Sequence, residues 1–252
     1  MRYRLVCFDA GFTLLSPRRT LADALSGVLT EHGHTLGEED LRRAWEAADR
    51  WFWDEYHRPD NDTWGSDERI NQTWRDYHGR IMRELGLGEA APDVIERILA
   101  SQFSPDSWEA YPDSVPTLEA LQDARRDGLK IGIVSDWGST LREIFVALKM
   151  DRYVDFVLAS AAVGLAKPDP AFFRLALDTA GVSAHEAIMV GDSYRADVEG
   201  ARAAGMDAVL LDRDASAGPA LVAPKIRSLS EMVPIVLAAS RTDADAAVPA
   251  DA

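Results

Sequence analysis

Five side chains in this 252-residue sequence have the types and the placement to do chemistry together: Asp9, Ser135, Lys167, Asp192 and Asp197. Asp9 ends the apolar run Leu5-Val6-Cys7-Phe8 and precedes the small pair Ala10-Gly11. A carboxylate so placed could attack as a nucleophile or bind a metal ion. Alternatively it turns the chain or caps a helix. Ser135 closes a second apolar run, Leu129 to Val134, and Lys167 lies in the loop Gly164-Leu165-Ala166-Lys167-Pro168-Asp169-Pro170. Asp192 and Asp197 flank the start of a helix after Ala187-Ile188-Met189-Val190. Two or three carboxylates beside one Lys and one Ser suit a magnesium-assisted phosphoryl site. Mg²⁺ prefers oxygen ligands and keeps waters and phosphate oxygens in its shell. Lys and Ser would hold phosphate oxygens and offset the carboxylate charge.

These residues act together only if the elements bring them together. Residues 3–9, 129–135, 156–160, 187–190 and 207–211 read as buried strands. Helical patterns separate the later ones, over 115–126, 141–148, 171–180 and 194–204. Strands alternating with helices predict an α/β fold: a Rossmann-like parallel sheet with helices on both faces. Such sheets bind ligands beyond the carboxyl ends of their strands, and each of the five residues falls at a strand end or in a loop after one. Residues 20–108 show helical periodicity near 20–33, from 37, at 66–84 and at 92–102, with no strand. The division expected is a core of residues 1–17 and 109–240, a helical insertion of 18–108, and a disordered Ala/Asp-rich tail, 241–252. The insertion holds six of the seven tryptophans; its aromatics are expected mostly to build its own small core, although the run Trp51-Phe52-Trp53-Asp54-Glu55-Tyr56-His57 could instead line a substrate pocket.

Hydrophobic residues make up 47% of the chain, enough for a packed core. The formal charge of −15 argues against nucleic acid as a partner, which needs clustered Lys and Arg. A small phosphorylated substrate needs only a local positive site. Only four of the 27 basic residues are lysines, and none lies between residues 16 and 110. The single cysteine, Cys7, sits inside an apolar run and reads as a small buried hydrophobe, consistent with a reduced, cytoplasmic setting. The apolar stretch near the N-terminus is too short for a signal-peptide core or a membrane span, so no membrane partner is expected. A monomer or a homodimer fits equally.

The motifs together resemble the haloacid dehalogenase-like (HAD) superfamily, subclass I. Asp9-Ala10-Gly11-Phe12-Thr13 matches its D-x-D-x-T motif with one substitution. Ser135 matches its post-strand Ser/Thr, Lys167-Pro168 its Lys, and Gly191-Asp192 through Asp197 its G-D-x-x-x-x-D. The helical insertion lies where that subclass carries its cap. The resemblance implies a Mg²⁺-dependent phosphatase with Asp9 as nucleophile and Ser135 and Lys167 as phosphoryl-binding groups. It places Thr13 and Asp136 near the substrate. It assigns the metal to Asp9, the Gly11 carbonyl, Asp192 and, in support, Asp197.

Gly11 departs from the pattern. The family's phosphatases use an Asp there to protonate the leaving group and later activate water, help worth about 10²–10⁴-fold. Four readings follow. One is a phosphatase that works without that acid, prefers leaving groups that need no proton, or borrows an acid from Asp54, Glu55 or His57. Another is a fold retained for binding or regulation. A third is a 2-haloacid dehalogenase, which the intact metal motif disfavours. The last is a phosphonoacetaldehyde hydrolase, which the lysine-free insertion disfavours.

Overall fold

The computed structural model describes residues 2–238 except 35, 57, 59–60, 89–90 and 219–220. Strand β1 (Leu5–Phe8) is fully buried because neighbours flank it on both sides. It pairs in parallel with β4 (Lys130–Ser135) and β6 (Ala187–Gly191). β5 (Phe156–Ala159), β7 (Asp207–Leu211) and β8 (Lys225–Ile226) complete a six-stranded sheet in the order β5-β4-β1-β6-β7-β8. Every pairing in it is parallel. Alternate residues serve opposite faces. Val6 and Phe8 join one apolar cluster with Ile131, Ile133, Ile188 and Val190. Leu5 and Cys7 join another with Val134, Met189, Phe172 and Phe173. Burial on both faces is why these strands read as continuous apolar runs. It also pushes the Cys7 thiol well above its ordinary range.

Between β1 and the later strands lie β2 (Leu15–Pro17), α1 (Leu21–Glu31), α2 (Glu38–Tyr56), α3 (Asp67–Glu84), α4 (Ala91–Gln102) and β3 (Trp108–Ala110). Thr20 caps α1 by accepting from Asp23 N–H at 3.1 Å, and Ser66 caps α3 by accepting from Arg69 N–H at 3.3 Å. The four helices bury a cluster of their own that includes Leu25, Ala48, Tyr77, Ile81 and Ile98. Asp67 ties them to the sheet domain by accepting from Ser139 N–H at 2.8 Å and Ser139 Oγ at 2.5 Å.

Three features differ from the reading of the sequence. Residues 10–20 are not only a connection: β2 pairs antiparallel with β3, a two-stranded ribbon at the root of the helical segment. Its Trp108 joins the sheet's cluster rather than the helical one. The helix expected over 115–126 breaks at Leu121 into α5 (Ser114–Ala120) and α6 (Gln122–Arg126). There the Gln122 side-chain amide donates to Leu118 O at 2.9 Å and to Tyr153 O at 3.2 Å, taking a carbonyl that a continuous helix would use itself. Finally, β7 is not the last strand, since β8 and α11 (Met232–Leu237) follow it. The remaining helices are α7 (Leu141–Ala147), α8 (Ser160–Val163), α9 (Pro170–Ala180) and α10 (Gly200–Ala203). The tail expected over 241–252 lies outside the described residues.

His78 on α3 is completely buried against Trp74, and its Nε2 meets Gln102 Oε1 at 3.3 Å. Burial lowers its imidazole to about 4 from an ordinary 6.5. Between those values the unfolded chain binds a proton that the folded chain refuses. The stability that this imidazole contributes is therefore complete above pH 6.5 and is lost as the pH falls towards 4, by roughly 3 kcal/mol at most. Urea denaturation across this range should show a smaller loss for His78→Gln than for the wild type, and equal losses would contradict this account.

Candidate active site

Adjacent parallel strands deliver the candidate residues to one edge. Asp9 follows β1 directly, and its N–H still donates to Val190 O at 2.9 Å, which holds it in sheet register. Ser135 ends β4, and its Oγ donates to Asp9 Oδ1 at 2.9 Å. Lys167, in the loop before α9, donates from Nζ to Asp9 Oδ1 at 2.6 Å and to Asp197 Oδ1 at 2.7 Å. Its N–H donates to Asp136 Oδ1 at 2.9 Å. Asp169 caps α9 by accepting from Ala171 N–H at 2.8 Å, and Pro170 opens the helix, so this loop ends rigidly. After β6, Ser193 caps a π-helical turn, Tyr194–Glu199. That turn swings Asp197 back to accept from Ser193 N–H at 2.9 Å. Thr13 Oγ1 donates to Asp192 Oδ1 at 3.2 Å.

Carboxylate oxygens of Asp9, Asp192 and Asp197 can all lie within 4.8 Å of one another. Such crowding of like charge is unfavourable. Burial, with the Asp9 and Asp197 charges added, pushes the Asp192 carboxyl up to about 7, although its side chain opens onto the cavity. Burial pushes Asp197 up to about 6, with Lys167 opposing, and Asp136 up to about 7, again with Lys167 opposing. Burial by itself would lower the Lys167 ammonium, but the surrounding carboxylates hold it well above its usual range. One ammonium faces three carboxylates, and the donors are all hard oxygens. That set fits Mg²⁺, with Asp9, Asp192 and Asp197 as the groups able to hold it.

The edge opens into a cavity of about 1020 Å³ between the sheet domain and the four helices. Asp9, Gly11, Ser135, Lys167 and Asp192 line one end, and Phe52, Trp74 and Tyr77 line the helical side. Residues 3–205 match the family model for haloacid dehalogenase-like hydrolases. The chain belongs to that family. It is 34% identical over 195 residues to the phosphatase MT3486 of Mycobacterium tuberculosis, covering 74% of this chain and 84% of that one. Two solved structures, each 27% identical with a TM-score of 0.61, are similar over nearly the whole chain. One is a HAD phosphatase from Thermococcus onnurineus, covering 92% of this chain and 97% of its own. The other is a 2-haloacid dehalogenase from Pseudomonas syringae pv. Tomato, covering 93% and 98%.

Within this HAD hydrolase the Gly11 position is crowded, so that an added side chain would have to shift a neighbour. A Cβ there would lie 2.9 Å from Trp137 Cζ3. Trp137 is buried and packs edge-on against Trp108 at 4.5 Å. The indole thus takes the space that a side chain at position 11 would first enter. Neither Asp54 nor Glu55 on α2 lines this cavity. Asp54 is exposed, Glu55 pairs with Arg58 beside a separate 130 Å³ pocket, and His57 lies outside the described residues.

Tyr56, which the sequence offers as a pocket residue, ends α2 and lines the cavity, with the Arg195 guanidinium 5.9 Å above its ring. Two residues that shape the site went unnoticed in the sequence. Trp137 follows the Ser135-Asp136 pair and shows no periodic signal. Arg213 donates to Thr13 O at 2.8 Å and to both Asp113 carboxylate oxygens at 3.0 Å, bracing the loop after β1. Asp113 also accepts from Ser228 Oγ and Leu229 N–H, at 2.8 and 2.9 Å. Only the third dimension joins positions 13, 113, 213 and 228.

Gly191 is required by close approach: a Cβ there would fall 2.1 Å from the Asp197 carboxyl carbon. Gly191→Ala should therefore displace Asp197 from Lys167 and cost about 1–3 kcal/mol. Gly27→Ala, where a Cβ meets nothing within 4 Å in the middle of α1, should instead stabilise by roughly 0.5–1 kcal/mol. Chemical denaturation of both variants decides the matter. A Gly191→Ala protein as stable as the wild type would contradict the packing described.

Proposed function

We propose that the protein is a Mg²⁺-dependent phosphatase of small phosphorylated metabolites, working through an aspartyl-phosphate at Asp9. The observation that carries this reading is the arrangement of Asp9. Ser135 and Lys167 bond its Oδ1 at 2.9 and 2.6 Å, and Asp192 and Asp197 crowd it with further oxygens. Bound Mg²⁺ would offset the charge of the phosphate and let a dianion approach a carboxylate.

The chain's own residues then do the following. Lys167 and Ser135 hold one Asp9 oxygen and face the phosphoryl oxygens as charge develops on them. The nucleophile is thereby aimed, and the reaction is governed by positioning and electrostatics. Asp197 anchors Lys167, and Thr13 orients Asp192. Asp136, with Oδ2 buried and without a hydrogen-bond partner, is a substrate contact. The Gly11 backbone carbonyl joins the metal set. Residues 1–17 and 109–240 form the catalytic domain and 18–108 the cap. A cytoplasmic monomer or homodimer is the assembly we assign.

Dehalogenation is the second reading. Gly11 favours it, because a halide leaves without a proton, as does the similarity to the Pseudomonas dehalogenase. The carboxylate trio favours the phosphatase. With p-nitrophenyl phosphate, the wild type should release phosphate in Mg²⁺ and stop on chelation. Asp9→Asn should lose about 10⁴-fold or more. Metal-independent halide release from 2-haloacids without phosphate release would replace this reading with the other.

A further inference from the structure

The structure assigns this site a substrate class: phosphomonoesters of phenolic, ring-bearing alcohols, in which the bridging oxygen is attached directly to an aromatic ring. The assignment rests on the phosphatase reading above and narrows it by two independent observations.

The first is the shape of the cavity wall. Trp74, Phe52 and Tyr56 form a row of nearly parallel rings. Phe52 lies 5.5 Å from Trp74 at an interplanar angle of 22°, and 6.1 Å from Tyr56 at 12°. The row ends at the catalytic edge. There the Tyr56 hydroxyl is pushed up to about 12, by burial first and then by the Asp136 charge, with Lys167 opposing. Trp108 and Trp137 also line this cavity. A flat aromatic ring finds stacking and edge partners in such walls. A cavity of about 1020 Å³ exceeds the space that a phosphate on a short chain would occupy, and is at the upper end of ligand pockets.

The second observation concerns the proton. At the position of the family's leaving-group acid there is Gly11, and Trp137 occupies the adjoining space. An alkoxide leaving group needs a proton in the transition state, whereas a phenolate departs without one. In the first step a bond forms between an Asp9 carboxylate oxygen and phosphorus, and the phosphorus–aryl oxygen bond breaks. The electron pair leaves on the phenolate, which takes its proton from water. In the second step water adds to phosphorus, the bond to Asp9 breaks, and the water's proton passes to solvent. The products are a phenol and inorganic phosphate. The missing acid and the aromatic walls thus select the same chemical group.

The test compares the wild-type protein, with Mg²⁺, on naphthyl phosphate and naphthylmethyl phosphate. These esters carry the same ring system and differ in whether the bridging oxygen is aryl or alkyl. A positioned acid would level them. Without one, kcat/KM should favour naphthyl phosphate by about 10²-fold or more. Equal values, or a preference for the alkyl ester, would overturn the assignment. Acetyl phosphate separates the two levels of the claim, because it is small, has no ring and has a good leaving group. Release from acetyl phosphate without release from naphthyl phosphate overturns the aryl assignment and leaves the phosphatase reading standing. No release from any of the three defeats the phosphatase reading itself. Phe52→Leu, which removes the central ring and keeps an apolar filling, should raise KM for naphthyl phosphate about tenfold, well beyond any change for acetyl phosphate. An unaltered KM for naphthyl phosphate in a folded Phe52→Leu protein also counts against the ring wall. If that variant does not fold, the wild-type comparison decides alone.

Discussion

The buried ammonium of Lys167 is the contact on which the site depends. It is almost wholly shielded from solvent and bonds Asp9 and Asp197 at once. An isolated charge in that position would be severely penalised, and so would either carboxylate without it. The three groups therefore hold one another in place across elements far apart in the chain: the end of β1, the loop before α9 and the π-helical turn after β6. Because one ammonium balances only part of the negative charge, the same contact leaves an excess that suits a divalent cation. Structural rigidity and the chemical potential of the site come from one interaction.

Glycines make this density possible at two points with opposite consequences. At Gly191 the absent Cβ admits Asp197, and the charge network closes. At Gly11 the absent Cβ admits the edge of Trp137, and the position offers no side-chain group to the site. The Trp137 ring itself packs against Trp108, so a side chain at position 11 would have to shift a packed indole pair. Gly11 belongs to a local packing arrangement that spans the root of the helical segment, with Trp108 on β3 facing Trp137 after β4.

Much of this was legible in the sequence, for a physical reason. The central strands are buried on both faces, so their apolar runs stand out, and the residue that ends each run is necessarily at the sheet edge. Asp9, Ser135 and Asp192 could be placed that way, and the match to the family confirms the class of fold. The helices of the inserted segment announced themselves through periodicity. What escaped was either short or tertiary. The two-residue β8 buries too little to leave a pattern. The break at Leu121 depends on a side-chain amide reaching Tyr153 O, and the Arg213–Asp113 brace links positions a hundred residues apart. The aromatic residues of α2 and α3 were read mainly as helical core. They do pack there, but the same rings also face the cavity, and sequence periodicity cannot separate two faces of one ring.

The central claim is that Asp9 takes the phosphoryl group. Without a side chain at position 11 to activate water, the acylphosphate should break down slowly and accumulate. The most direct measurement mixes the protein with Mg²⁺ and p-nitrophenyl phosphate, quenches in acid at short times and analyses the peptides by mass spectrometry. The account predicts a phosphoryl group on the peptide bearing Asp9, appearing with the first turnover and absent from Asp9→Asn. Steady phosphate release with the Asp9 peptide unmodified at every quench time would contradict it.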